Sequence, residues 1–227
     1  MSLPFIPQRG DMSAYSESLF PENEVLIAAR ARGEEFGIKN PSRLSAALVR
    51  FLAELIGASS IVEVGTGTGV GGLYLLDLPE VNLTSIDVEM ARAKAARIAF
   101  DEALIPATRY RLITGVTKDV IGKLADSSYD IFVVRETGEG HDTDYLVDIL
   151  HHVGRALRPG GLVILDDILG GGKVADPTQR DDLSLARREA IRALRSDQHW
   201  RPLLLPLADG VMVAIKKDEV ASTRGER

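Results

Sequence analysis

The sequence lacks several features that would assign it to particular classes of protein. Its 227 residues contain no cysteine, which excludes disulfide bonds, thiolate metal sites and cysteine nucleophiles. No apolar run approaches the roughly 20 residues that a membrane-spanning helix needs, so we expect no membrane partner. The N-terminus has no signal-peptide core, which predicts a cytoplasmic location. Basic residues are not in excess, and the net charge of −6 disfavours nucleic acid as the main partner.

The most informative stretch is a short apolar strand that runs directly into a glycine-rich turn and a helix. Residues 60–64 predict a buried parallel strand, residues 65–69 the turn, and residues 70–76 the helix. Such a unit brings a ligand against backbone N–H groups at the start of a helix. Glu63 interrupts the apolar strand, and a carboxylate at a buried position requires a partner.

The rest of the chain alternates between helices and strands. Further strands are predicted at residues 83–86, 110–113, 130–134, 162–165, 203–207 and 211–215. Further helices are predicted at residues 21–32, 44–56, 88–101, 144–157 and 181–197. This alternation predicts an α/β fold with a mostly parallel sheet. The hairpin signal Ala208-Asp209-Gly210 predicts that one strand at the end of the chain is antiparallel.

The N-terminal segment is predicted to be separate from the main α/β domain. We expect an arm without regular structure over the first 20 residues, followed by a helix with Pro21 in its first turn and Gly33 after its end. The predicted organisation is an N-terminal arm and helix (1–40), one domain (41–217) and a disordered tail (218–227).

Polar residues follow the carboxyl ends of five predicted strands. In an open α/β sheet, ligands bind beyond those ends. The positions concerned are Glu63 to Gly69, Asp87, Gly115 to Thr117, Arg135 and Asp166-Asp167. Asp87 is placed to accept hydrogen bonds from the hydroxyls of a ribose, and it would also serve as a helix cap. The convergence of five strand ends predicts one ligand site.

Two interpretations of the glycine turn are open from its residues. Gly67-x-Gly69-x-x-Gly72 matches the dinucleotide fingerprint, which would place a pyrophosphate at the helix start. The stretch Glu63-Val-Gly-Thr-Gly-Thr-Gly69 instead resembles motif I of the class I S-adenosylmethionine-dependent methyltransferases. S-adenosylmethionine has no phosphate but carries an ammonium group, which suits an acidic neighbour better.

Further segments resemble the small bacterial O-methyltransferases related to catechol and caffeoyl-coenzyme A O-methyltransferases, over residues 41–216. These segments are Ser85-Ile-Asp87, Tyr129-Asp-Ile-Phe-Val-Val134, Leu157-Arg-Pro-Gly-Gly161 and Leu165-Asp-Asp-Ile-Leu-Gly-Gly-Gly-Lys-Val-Ala-Asp176. The last of them is the most specific, since dinucleotide enzymes have no counterpart to it.

The resemblance implies a Rossmann-like class I methyltransferase fold with helices on both faces of a seven-stranded, mostly parallel sheet whose last strand is antiparallel. It implies S-adenosylmethionine as methyl donor, a small hydroxylated molecule as acceptor, and a homodimer. The donor-binding residues it indicates are Glu63, Gly65, Thr66, Gly67, Thr68, Gly69, Gly71, Asp87, Val88, Gly115, Val116, Thr117 and Arg135. Val116 stands where the family usually has Asp, so one contact to the adenine is expected to be missing.

The largest departure from the family concerns its divalent cation. The family holds the metal with an Asp after the fourth strand and an Asp-Asn pair after the fifth; here these positions are Arg135 and Asp166-Asp167. Arg cannot ligate a metal. In one alternative, Arg135 supplies the positive charge in place of the metal and donates two hydrogen bonds to Asp166 or Asp167. In the other, Mg²⁺ is bound by both Asp residues together with further acidic ligands. The acids concerned are Glu136, Asp142 and Asp144. Arg135, Asp166 and His141, as general base, are the predicted catalytic residues.

Two other functions compete with methyl transfer. A degenerate member of the family would bind S-adenosylmethionine without turnover, as the replaced metal ligand suggests. A nicotinamide-dependent oxidoreductase would use the fingerprint that begins at Gly67, but such enzymes have no segment that corresponds to residues 165–176.

Overall fold

The structure is a computed structural model that describes residues 9–135 and 143–218. The helices are α1 (Arg9–Ser18), α2 (Glu24–Glu35), α3 (Arg43–Leu55), α4 (Val70–Leu76), α5 (Met90–Glu102), α6 (Thr117–Ile121), α7 (Tyr145–Ala156) and α8 (Asp182–Ser196). The strands are β1 (Ser60–Val64), β2 (Asn82–Asp87), β3 (Tyr110–Thr114), β4 (Tyr129–Val134), β5 (Leu157–Leu165), β6 (Trp200–Leu205) and β7 (Val211–Lys216).

The seven strands form one sheet in the order β3-β2-β1-β4-β5-β7-β6. Strands β1 to β5 are parallel, and β7 runs antiparallel to both β5 and β6. The predicted fold class and the antiparallel last strand are therefore confirmed. The direction of winding reverses between β1 and β4, and this is where open α/β sheets bind their ligands.

Helical layers cover both faces of the sheet. Because side chains alternate along a strand, Val62 and Val64 pack towards α6, α7 and α8, whereas Ile61 packs towards α2, α3, α4 and α5. Glu63 faces the same layer as Ile61 and is fully buried in it. The apolar layer on that side thus contains one carboxylate, which must be paired nearby.

The N-terminal segment differs from the prediction. Residues 9–18 form α1, where an arm without regular structure was expected. Helix α2 begins after Pro21, because the Asn23 side chain accepts a hydrogen bond from the N–H of Leu26 and caps the helix there. Gly33 lies inside α2 and not beyond its end. Its missing Cβ leaves room for the Asn40 side chain.

Several other boundaries also differ from those expected. Strand β5 begins at Leu157, because Leu157 pairs with Tyr129 before the register shifts. Strand β6 begins at the buried Trp200, which pairs with Lys216, and it ends at Leu205. Helix α6 and a 3-10 segment over Gly170–Ala175 occupy stretches for which neither a helix nor a strand was predicted.

Helix α2 packs against α4 and α5. The division of the chain at residue 40 and the disordered tail stay predictions, and residues 219–227 lie outside the described part. Within residues 9–135 and 143–218, no helix combines the length and the apolar character that crossing a membrane requires.

Candidate active site

A cavity of about 610 Å³ lies at the carboxyl ends of the parallel strands. Its volume is in the range of small-molecule sites. Most of the predicted binding and catalytic residues line it. These are Gly65, Thr66, Gly67, Thr68, Gly71, Asp87, Val88, Arg135, Asp166 and Asp167.

The other predicted site residues do not line this cavity. Glu63 is fully buried beneath it, and Gly69 packs against α5 at the start of α4. The segment Gly115 to Thr117 lies beside Asp87, since the N–H of Gly115 donates to the Asp87 carbonyl, but it is not part of the wall. His141, Glu136 and Asp142 lie outside the described residues.

The glycine turn is held in place by Asp87. The N–H of Gly67 donates to Asp87 Oδ2 at 3.0 Å, and the N–H of Glu89 donates to Oδ1 at 3.0 Å. Gly65, Gly67 and Gly69 have φ angles of 88°, 54° and 89°, in the left-handed region that side chains disfavour. The residue that orders the turn also lines the cavity, and Arg92 Nη1 forms an ion pair with its Oδ1 at 3.7 Å.

A chain of polar side chains crosses the sheet under the cavity. Thr66 Oγ1 lies 2.7 Å from Ser85 Oγ, and the Ser85 hydroxyl donates to Glu63 Oε2 at 2.7 Å. Arg135 Nη1 donates to Glu63 Oε1. Gly71 covers this pair, and a Cβ there would collide with both Glu63 and Arg135. The carboxylate that seemed out of place in the strand is therefore fully hydrogen-bonded.

The Glu63 carboxyl is strongly affected by its surroundings. Burial raises its pKa, while the adjacent Arg135 and the Ser85 hydroxyl oppose that rise. Burial has the larger effect, so the pKa of Glu63 lies above its ordinary value although Arg135 favours the charged form.

The main ion pair of Arg135 is the one with Glu63. Its Nε lies 3.5 Å from Asp166 Oδ2, which is an ion pair without a hydrogen bond. The predicted fork onto Asp166 or Asp167 is therefore wrong in its main contact. The side chain is only 8% exposed, and among the residues that the structure describes the buried Nε and Nη2 have no hydrogen-bond partner.

Asp167 is neutralised by two other cations. Lys39 Nζ donates to its Oδ1 at 2.8 Å, and Arg187 Nη2 donates to its Oδ2 at 2.5 Å. Arg187 is buried, and Lys39 also bridges to Asp209 at 2.6 Å. Although partial burial lowers it, the pKa of Lys39 is raised overall by Asp167 and Asp209.

These contacts do not fit a divalent cation. Asp166 forms an ion pair with Arg135, and both carboxylate oxygens of Asp167 accept hydrogen bonds, one from Lys39 and one from Arg187. In the described part of the chain, no group of three acidic or histidine side chains could hold a metal ion. Asp144 therefore completes no such group with the two Asp residues.

Sequence reasoning missed one wall of the cavity. Residues 37–42, between α2 and α3, line it together with Arg30, Arg92 and the hairpin residues Ala208 and Asp209. From the sequence, residues 40–42 indicated only a turn and a helix cap. The loop is far from the other site residues along the chain, so no local signal could reveal this contact.

The switch-point cavity, the glycine turn held by the acid after β2, and the antiparallel β7 define a class I methyltransferase fold. Comparisons with known proteins agree. The profile of the family described as O-methyltransferase matches residues 12–217. The chain belongs to this O-methyltransferase family.

Individual relatives cover nearly the whole chain. A protein of Mycobacterium marinum that is named as an O-methyltransferase is 38% identical over 213 residues, which are 92% of this chain and 93% of that protein. A crystal structure from Corynebacterium glutamicum superimposes with a TM-score of 0.82 at 28% identity, covering 92% of this chain and 96% of that one.

A more distant structure carries a ligand. It is the O-methyltransferase of Streptomyces achromogenes involved in tomaymycin synthesis, in complex with S-adenosylmethionine. It has a TM-score of 0.77 at 24% identity, covering 91% of this chain and 96% of that one. At this identity the similarity shows the fold alone.

Proposed function

We propose that this enzyme transfers a methyl group from S-adenosylmethionine to an oxygen atom of a small hydroxylated acceptor. The observation that carries the proposal is the glycine turn tied to Asp87 at the mouth of a cavity of suitable size. The family match and the S-adenosylmethionine complex of the Streptomyces achromogenes protein support the choice of donor. When bound, S-adenosylmethionine supplies an electrophilic methyl group.

The donor half of the cavity lies over β1 and β2. There the backbone of residues 65–68 would receive the methionine end, and Asp87 would accept hydrogen bonds from the ribose hydroxyls. Each Asp87 oxygen receives one backbone N–H, which leaves it capacity for one further hydrogen bond. Val88 would pack beside the sugar, with Gly115 to Thr117 further along the same edge.

The acceptor half lies over β4 and β5, on the other side of the switch point. Arg135, Asp166 and Asp167 line the cavity there, and Lys39 of the α2–α3 loop pairs with Asp167. Since the residues at the expected metal position are paired with cations, no step of the proposal passes through a metal. Positioning of the two reactants supplies most of the catalysis.

A homodimer and a cytoplasmic location are also part of the proposal. Helices α1 and α3 expose apolar side chains that a second copy could cover. These include Tyr15 (67% exposed), Phe51 (60%) and Leu55 (67%). Light scattering of the full chain tests the homodimer. The expected mass is that of two chains, and a mass of one chain would contradict the dimer.

The donor site is tested by titrating the protein with S-adenosylmethionine and comparing Asp87→Asn with the wild type. Because hydrogen bonds to a charged group are lost, we expect binding to weaken about tenfold or more. Asp77→Asn is the matched control, since the exposed Asp77 side chain pairs with Arg50 and does not line the cavity. Equal binding by all three proteins would contradict the assignment of Asp87.

Turnover is tested with a methyl-labelled donor and a panel of phenols and catechols. Label in the ether product is the expected result. A non-catalytic donor-binding protein is the alternative, and it is not favoured by the family match. Donor binding without transfer to any member of the panel would argue for it.

A further inference from the structure

The Arg135 side chain uses only part of its hydrogen-bonding capacity. Its Nη1 donates to Glu63, whereas Nε and Nη2 have no hydrogen-bond partner within residues 9–135 and 143–218, although the side chain is 8% exposed. Nε and Nη2 lie on one edge of the planar guanidinium and together form the fork that matches two oxygens or a single oxyanion. Buried donors without a partner are rare in folded proteins and cost stability. Because Arg135 lines the cavity, a bound ligand could satisfy this edge.

The neighbouring cations are paired with acidic side chains. Lys39 bridges Asp167 and Asp209, Arg187 Nη2 donates to Asp167, and Arg92 Nη1 lies 3.7 Å from Asp87 Oδ1. Arg30, in the same wall, donates to Glu22 through two nitrogens and to the Pro41 carbonyl through the third. The acceptor half of the cavity therefore offers an anion the free edge of Arg135.

Asp166 helps to orient this edge. Its Oδ1 accepts a hydrogen bond from the N–H of Asp167 at 3.0 Å, and its Oδ2 stands 3.5 Å from Arg135 Nε. The Glu63 carboxylate balances the charge of the guanidinium from the opposite side. The guanidinium is thus held between two carboxylates, at a residue that lines the cavity.

We propose that the Nε/Nη2 edge of Arg135 binds the acceptor oxygen that receives the methyl group, and holds it as an oxyanion. This inference rests on the proposed function and names its acceptor class, a phenol or another acidic hydroxyl that ionises readily. The hydroxyl proton passes to solvent when the acceptor ionises. The new O–CH₃ bond forms as the S–CH₃ bond breaks, and the electron pair of that bond stays on sulfur as a neutral thioether. Arg135 supplies the positive charge for which the resemblance predicted a metal.

The test uses 4-nitrophenol, whose anion absorbs visible light, with the full chain after treatment with a chelator and saturation with S-adenosylhomocysteine. A pH titration of the absorbance gives the pKa of the bound probe. We expect the protein to bind the anion about tenfold more tightly than the neutral phenol, so that the bound probe ionises at a lower pH than the free one. Added Mg²⁺ should not change this preference.

Variants distinguish the contribution of the Nε/Nη2 edge of Arg135 from that of its positive charge. Arg135→Lys keeps the charge but loses the fork, and it should lose most of the preference for the anion. Arg192→Met removes an exposed positive charge outside the cavity and should keep the preference, because Arg192 pairs with Glu189 on α8. If Arg135→Lys does not fold, Glu63→Gln is compared with Glu63→Gln/Arg135→Met, which removes both members of the buried pair.

The outcomes distinguish this inference from the function on which it rests. If S-adenosylhomocysteine does not bind in a calorimetric titration, the proposed function fails and this inference with it. If it binds, but 4-nitrophenol fails to bind or binds without preference for the anion, only the role of Arg135 is overturned. A preference that appears only with Mg²⁺ would also overturn it.

Discussion

The buried pair of Glu63 and Arg135 makes a quantitative prediction about stability. Glu63 is fully buried and the Arg135 side chain is 8% exposed, so Arg135→Met would leave a carboxylate in the apolar layer with only the Ser85 hydroxyl as partner. Removing one partner of a buried ion pair costs about 3–5 kcal/mol. Removing both is far less costly, so Glu63→Gln/Arg135→Met should recover most of the loss.

The pH dependence of this loss has a defined sign. Burial raises the Glu63 pKa above its ordinary value of 4.5, and Arg135→Met removes the main group that opposes the rise. The folded variant therefore prefers the protonated carboxyl. Its stability is fully present below pH 4.5 and is lost as the pH rises through the folded-state pKa. The deficit against the wild type should be small in acid and largest at neutral pH.

Urea unfolding followed by tryptophan fluorescence measures these differences, since Trp200 is the only tryptophan in the sequence and is buried. The control is Arg192→Met, whose ion pair with Glu189 is exposed and should change stability by less than about 1 kcal/mol. A coupling energy below about 1 kcal/mol in the double-mutant cycle, or a deficit independent of pH, would refute this reasoning.

The remaining predictions concern the packing around the site. Gly71→Ala should lower both the free energy of unfolding and the affinity for the donor, because the new Cβ would collide with the buried ion pair. The control is Gly154→Ala in α7, where the new Cβ would make only an ordinary contact. In the same unfolding and titration assays this variant should be neutral or stabilising. Glu22 accepts hydrogen bonds from Arg30 and Tyr74, and although burial raises its pKa, these bonds lower it overall. The advantage of the wild type over Glu22→Gln in urea unfolding should therefore be complete above pH 4.5 and fade as the pH falls through the lowered pKa; an advantage unchanged in acid would contradict it. Tyr74→Phe should cost about 1.5–3 kcal/mol at neutral pH, and no loss would show that its bond to Glu22 contributes nothing.

The sequence was most informative where a motif is local. The strand, glycine turn and helix around Gly65 to Gly69 can be recognised within a dozen residues, and Asp87 follows from the position of the next strand. The pattern of alternating strands and helices was also sufficient for the parallel sheet, and the hairpin signal at residues 208–210 indicated the antiparallel strand at the end of the chain. These features depend on neighbours in the chain, whose spacing is visible without a structure.

Contacts between residues that are distant along the chain could not be predicted from the sequence. Glu63 and Arg135 are separated by 72 positions and meet because β1 pairs with β4. The sequence indicated that each needs a partner of opposite charge, but several partners were available to both. Lys39 was missed for a similar reason, since only the folded chain brings the α2–α3 loop against Asp167 and the hairpin residue Asp209.

The central claim is that this cavity binds S-adenosylmethionine without the help of a metal. Calorimetric titration of chelator-treated protein with S-adenosylmethionine, repeated after addition of Mg²⁺, tests it most directly. We predict micromolar binding that is the same in both titrations. Binding that appears or tightens sharply only with Mg²⁺ would contradict the role given to Arg135, and no binding in either titration would contradict the donor site itself.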